Sequence, residues 1–227
     1  MRKTKFIIGE YYHIFNRGVD KREVFCDEKD YERFLLTMKI SVFDDIACMI
    51  RLRDLQKCNV PRAQLLEFFQ ELSSRKKLIN VICYCMNPNH YHLIVQQKEP
   101  EGVKKFMHKL GTSYTNYFNK KNQRSGSLFQ GRFKSVHIDS NEYLLYLSTY
   151  VNCNNFIHRY NKDIKSWPYA SYLDYIGKRK GELCEKEIIL DQFKGNFEDY
   201  KKFCRMNAEY LKDKKEFQEL LIEEPYS

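Results

Sequence analysis

Two histidines and a tyrosine–asparagine pair carry the chemistry that can be read from this chain. His90 and His92 lie in HYHLIV, after the turn residues Asn87-Pro88-Asn89 and the apolar run from Ile82 to Met86. Aliphatic and aromatic residues on either side of such a turn read as two paired strands. Side chains alternate faces along a strand, so His90 and His92 share one face and Tyr91 takes the other. Two imidazoles on one face can share a divalent metal ion. The plainer reading is a surface or core histidine pair. Further on, DSNEYLLYLSTYVNCNNFIHRY reads as a helix, with Asp139 and Glu142 as a capping box and Leu144, Leu147 and Val151 as its core stripe. Tyr150 and Asn154 then sit one turn apart on the same helix face. A tyrosine hydroxyl is a nucleophile and a carboxamide oxygen is a metal ligand. The plainer reading of that pair is a surface tyrosine and an asparagine near a helix end.

Other elements must position these groups. Tyr11 to Phe15 reads as a strand, and Asn16-Arg17-Gly18 turns out of it. Arg17, Lys21 and Arg22 cluster at the exit, either as phosphate contacts or as a solvated turn. His13 reads as a packed or DNA-side residue rather than a metal ligand. Asp27 to Ile40 is an amphipathic helix burying Tyr31, Phe34, Leu35 and Met38. Within residues 42–78, Pro61 to Ser73 reads as a helix with Leu65, Leu66, Phe69 and Leu72 on its packed side. Gly102 to Lys121 is another helix, in which Tyr114, Tyr117 and Phe118 interleave with Lys104, Lys105, Lys109, Lys120 and Lys121. Stacking aromatics among phosphate-binding lysines suit single-stranded DNA. A basic solvent face on an ordinary helix is the alternative. Phe129 to Lys134 then enters the last strand, with Arg132 and Lys134 sharing a face. The planar guanidinium of Arg132 suits a bidentate phosphate grip.

Composition sets broad bounds. The 227 residues hold 39 Lys and Arg against 30 Asp and Glu, for a net charge of +9, which favours polyanionic partners. No apolar run approaches the ~18 residues that span a bilayer, and the first residues show no signal-peptide core. The eight cysteines form no CxxC pair, so reduced thiols and a cytoplasmic, nucleoid-associated location are expected, without a disulfide framework or a membrane partner. From Ile176 onward, the runs KEIILDQF, FEDYKKFCRMNAEYL and KKEFQELLIEE read as short helices of mixed charge.

Five stretches, in order, resemble the small single-tyrosine HUH transposases, including the REP-associated tyrosine transposases. They are YYHIFNRGVDKREVF, MNPNHYHLIV, GSLFQGRFKSVHIDSNEYLL, TYVNCNNFIHR and SWPYASYLDYIG. The resemblance covers most of residues 1–177. It implies an α+β fold: a ferredoxin- or RRM-like four-stranded antiparallel sheet with helices on one face. A helical insertion at about 42–78 departs from the family, and residues 178–227 form a C-terminal helical tail. It implies Tyr150 as the nucleophile and His90, His92 and Asn154 as ligands of Mg²⁺ or Mn²⁺. Where the family has Asn-Pro, this chain has Asn152-Cys153 and Asn154-Asn155. Only Asn154 has a tyrosine four residues before it; Asn152 would put Ser148 in the nucleophile's place.

The resemblance further implies cleavage and rejoining of single-stranded or hairpin DNA through a 5′-phosphotyrosine. Arg17, Lys21, Arg22, Lys105, Lys109, Tyr114, Tyr117, Arg132 and Lys134 are the candidate DNA contacts. A homodimer is left open. The competing reading is a non-catalytic RRM-like nucleic-acid-binding module, which has no use for His90, His92, Tyr150 and Asn154 together. No residue declares itself as the base that activates Tyr150.

Overall fold

Strands form where β-branched and aromatic residues run unbroken, and four such runs make one sheet. The computed structural model describes residues 4–44, 67–68, 70–72 and 74–213. The strands are β1 (Tyr11–Arg17), β2 (Ile79–Asn87), β3 (His90–Gln97) and β4 (Lys134–Ile138). Their order across the sheet is β2-β3-β1-β4, and every neighbouring pair is antiparallel. The asparagines expected to bracket the turn divide between roles. Asn87 ends β2, and Pro88 and Asn89 alone make the turn.

Two helices cover one face. Helix α1 (Glu28–Ser41) is capped by Asp27, whose carboxylate accepts from the Asp30 amide at 3.1 Å. Helix α2 spans Gly102–Lys121. Between them and the sheet lie Tyr12, Ile14, Tyr84, Met86, Tyr91, Leu93 and Val95 of the strands, with Phe34, Met38, Phe106, Leu110 and Tyr114 of the helices. Phe68 and Leu72 are buried in the same core. Leu65, Leu66, Phe69 and the run KKEFQELLIEE lie outside the described residues.

The other face is covered too. It carries α3 (Asn141–Asn152), α4 (Asn154–Ile157), α5 (Tyr172–Tyr175), α6 (Glu187–Leu190) and α7 (Phe197–Asp213). Helix α3 is capped by Ser140 rather than Asp139: Ser140 Oγ accepts from the Tyr143 amide at 3.2 Å. Leu147 and Val151 pack with Ile82, Cys83, Cys85 and Ile94. The C-terminal α7 buries Tyr200, Cys204, Ala208 and Leu211 in this second core. A β-bulge at Ile82 shifts the β2 register between Val81 and Cys83. It allows Val81 to face the first core while Cys83, Cys85 and Asn87 face the second. Strict alternation would put all four on one face.

Candidate active site

The site is built around the closed end of the β2–β3 hairpin, where Asn87 and His90 are opposite one another. Asn89 in the turn fixes the His90 ring. Its Oδ1 accepts from the Tyr160 hydroxyl at 3.1 Å, and its Nδ2 donates to the Lys21 carbonyl at 3.2 Å. That orientation makes Asn89 Oδ1 an acceptor for His90 Nδ1, 2.6 Å away. His90 therefore carries its proton on Nδ1 and presents a lone pair at Nε2. His92, two residues on, is 1% exposed. Its Nδ1 is 2.9 Å from Nε2 of the buried His13, and the two rings stack at 5.1 Å. A metal contact by His92 thus falls to its Nε2, with His13 orienting the ring from behind.

Helices α3 and α4 bring the other two groups. Only Cys153 separates them, so helical phase is nearly kept and Tyr150 and Asn154 still share a face. The Tyr150 ring stands edge-on to His92, with centroids 5.5 Å apart, and is 4% exposed. Asn154 is fully buried, with Oδ1 at 3.2 Å from His90 Nε2. Two acceptors facing each other so closely need a positive group between them. The Asn87 amide supplies it: Nδ2 donates to Asn154 Oδ1 at 2.5 Å and lies 3.0 Å from His90 Nε2. The alternative pair faces elsewhere. Asn152 donates to the Tyr200 hydroxyl at 2.8 Å, and Ser148 Oγ donates to the Leu145 carbonyl at 2.6 Å.

The donor set fits a hard or borderline divalent ion. Among the described residues no three His, Cys, Asp or Glu side chains converge on a metal position. A site here must therefore draw its third donor from the Asn154 carboxamide. That side chain is aimed for it: Oδ1 points at His90, while the buried Nδ2 has no hydrogen-bond partner. Carboxamide oxygen with imidazole nitrogen suits Mg²⁺ or Mn²⁺, the imidazoles favouring Mn²⁺.

The sequence family described as transposase IS200-like matches residues 9–154, more than half of the chain. The chain belongs to the IS200-like transposases. Its fold is also that of a solved REP-associated tyrosine transposase bound to a REP hairpin, with a TM-score of 0.52 at 10% identity. The likeness covers 82% of this chain and 93% of that one. No curated protein matches the sequence. Among the described residues no helix of the transposase is long and apolar enough to cross a membrane.

The remaining candidates scatter over the transposase. Arg17 lies opposite His90 across β1 and β3, and its buried Nε has no hydrogen-bond partner. Lys134 lies opposite Phe15, with Nζ 6.0 Å from that ring. Both therefore flank the histidine face. Lys21 and Arg22 are exposed beside the hairpin turn, Arg22 paired with Asp20 at 3.2 Å. Lys105 and Lys109 lie 3.0 and 3.7 Å from Asp44, on the α1–α2 side. Tyr114 is corrected outright: it is wholly buried and its hydroxyl donates to the Val24 carbonyl, so its ring is core and cannot stack on a base. Tyr117 is half-buried, donating to Asp30 at 3.1 Å. Arg132 is exposed on the wall of a cleft of about 1150 Å³, shared with Lys5, Lys104 and His108, on the Tyr91 side of the sheet.

The sequence packs His13 and places Asn87 in the turn, and it gives His158 no role; the structure puts all three at the site. The His158 Nε2 lies 3.3 Å from the Tyr150 hydroxyl. Its signal was a spacing of four, repeated through Tyr150, Asn154 and His158, hidden by the break at Cys153. His13 and Asn87 leave no such trace, because their partners lie across strands.

Proposed function

We propose that this transposase cuts and rejoins single-stranded DNA with Tyr150 as nucleophile, His90, His92 and Asn154 holding Mg²⁺ or Mn²⁺. The observation that carries the reading is the convergence of Tyr150 on His92 and of Asn154 on His90, from segments far apart in sequence. When bound, the ion acts as a Lewis acid, withdrawing charge from the scissile phosphate. The chain's own groups do the rest. Tyr150 Oη attacks phosphorus in line, and the bond to the leaving 3′ oxygen breaks. The leaving 3′ oxygen takes a proton from solvent, so the products are a 5′-phosphotyrosine and a free 3′-OH. A later 3′-OH reverses the step without ATP, since the phosphodiester energy is kept in the covalent link.

The phenol must lose its proton during attack, and an ordinary tyrosine holds it up to a pH of about 10. His158 Nε2 is an acceptor in reach, at 3.3 Å, a distance typical of a base before substrate tightens the site. On rejoining, His158 returns the proton to the tyrosine oxygen. Burial shields the covalent ester: Tyr150 is 4% exposed and lies beside His13 and His92. Arg17 and Lys134 border the same face and suit the flanking phosphates. A hairpin-bearing single strand is the substrate class, as the solved relative is bound to a hairpin.

The test is incubation of the full chain with hairpin-bearing single strands in EDTA, Mg²⁺ or Mn²⁺, followed by SDS electrophoresis. A covalent adduct is expected with either ion and none in EDTA. Full cleavage in EDTA, or in a His90→Ala/His92→Ala double variant, would overturn the metal reading, and no cleavage or adduct with either ion would leave the non-catalytic binding module standing. Loss of the adduct in Ser148→Ala, with Tyr150→Phe active, would move the nucleophile by two residues.

A further inference from the structure

Asn87 is a polar side chain of the site that the proposed chemistry does not use. It is fully buried at the end of β2. Its amide nitrogen is committed twice, to Asn154 Oδ1 at 2.5 Å and toward His90 Nε2 at 3.0 Å. Its oxygen is hardly committed: its contact is with Cys85 Sγ at 3.8 Å, and a thiol is a weak donor.

The two lone pairs that Asn87 bridges are the two that would hold a cation. His90 Nε2 is a lone pair because Asn89 Oδ1 takes the hydrogen on Nδ1 at 2.6 Å. Asn154 Oδ1 is an acceptor by nature. A cation held by both must occupy the space that the Asn87 NH₂ now fills. The NH₂ group must therefore leave when the ion arrives. Rotation about the last side-chain bond does this: it gives up the amide's contacts to Asn154 and His90, which the ion takes over, and the weak contact to Cys85. The same rotation brings Oδ1 to where Nδ2 was, and a carboxamide oxygen is a good ligand for Mg²⁺ and Mn²⁺.

We propose that Asn87 is a further ligand of the metal site: its amide nitrogen holds the ligands together without the ion, and its oxygen joins them on the ion once bound. This rests on the metal reading above. It makes the site two imidazoles and two carboxamides, all neutral. Such a set leaves the ion's full charge for the phosphate, and it predicts weak binding in the absence of DNA.

The experiment is titration of the full chain, without DNA, with Mn²⁺ alone, followed by loss of the aqueous Mn²⁺ EPR signal. The variants are Asn87→Ala, Asn87→Asp and His90→Ala, with circular dichroism as the check on folding. Asn87→Ala is expected to bind Mn²⁺ at least about tenfold more weakly than the wild type. Asn87→Asp has nearly the same shape, brings a negative charge and is expected to bind more tightly by a similar factor. It also places a carboxylate against two lone pairs in the empty site. Its thermal midpoint in EDTA should therefore fall, and Mn²⁺ should raise it by more than in the wild type. Unchanged or tighter binding in Asn87→Ala would mean that the amide only blocks the site, and would overturn the assignment. If His90→Ala loses Mn²⁺ while Asn87→Ala and Asn87→Asp both match the wild type, Asn87 alone is excluded and the metal site stands. If the wild type takes up no Mn²⁺ at millimolar concentration, the metal reading falls and Asn87 falls with it.

Discussion

The two faces of the sheet use the same strands for opposite ends. On the α1–α2 face, β3 offers Tyr91, Leu93 and Val95, which meet Phe34, Phe106 and Leu110. Such a face needs only volume and apolar area. On the α3–α7 face, β3 offers His90 and His92, and its neighbours add His13, Asn87 and Asn154, all at most 7% exposed. Those buried polar groups must satisfy one another, because each unpaired one costs about 1–3 kcal/mol. A hydrophobic face tolerates exchange of shapes. The polar face fixes which atom of each ring and amide points where, and that specification is what a reactive site requires.

Breaking the polar face should therefore abolish chemistry while sparing the fold, and breaking the apolar face should do the reverse. Tyr150→Phe should remove the SDS-stable DNA adduct entirely and leave hairpin binding near wild type, since one oxygen is lost. His158→Ala should slow adduct formation by about 10²–10⁴-fold in single-turnover assays, the range for a general base. An unchanged rate would remove it as the proton acceptor. Leu93→Ala, on the other face, should cost about 2–5 kcal/mol in urea unfolding, equally in EDTA and Mn²⁺. Any ion-dependent difference would show that the two faces are coupled.

Smaller effects sharpen the contrast at its margins. The Tyr200 hydroxyl accepts from Asn152 at 2.8 Å and lies 3.3 Å from Ser148 Oγ. Tyr200→Phe leaves both groups on the rear of α3 short of a partner, at about 1–3 kcal/mol of stability. Burial pushes the Tyr200 and Tyr175 phenols well above their ordinary values. A raised folded-state value stabilises fully below the unfolded value and is lost as pH rises past it. Loss of α7 packing should therefore set in above about pH 10, monitored by near-ultraviolet dichroism. Smallest of all, Arg17→Ala should make the log-affinity against log-salt slope for single strands shallower by about 0.7. Arg132→Ala should match it only if the DNA also reaches the cleft on the Tyr91 side.

Much of this arrangement was legible before any coordinates, and what escaped did so for physical reasons. Strand pairing and the α2 limits follow from local periodicity, and Gly102–Lys121 is reproduced to the residue. The His90–His92 pair and the Tyr150–Asn154 pair are each local, so spacing exposes both. Tyr114 misled because lysines around an aromatic say nothing about which way its ring turns; its apolar stripe with Phe106 and Leu110 was the better guide. The tail reads as a packed helical appendage, and α7 does pack, through Tyr200, Cys204, Ala208 and Leu211; its mixed charge gives no sign that it joins a second layer over the sheet. Asn87 looked like turn chemistry. Its shortest contact is with Asn154, 67 residues away.

That separation also orders events in time. The Asn87–His90 hairpin closes over a two-residue turn, whereas Asn154 reaches His90 across 64 residues of chain. Hairpins form in about 1–10 μs, and contacts over long loops come later. On the ribosome the imidazole pair emerges well before the tyrosine, at about 5–20 residues per second. For several seconds, then, a nascent chain carries its histidines without Tyr150. The proposed nucleophile is seated beside them only after α3 and the layer that packs it have been made.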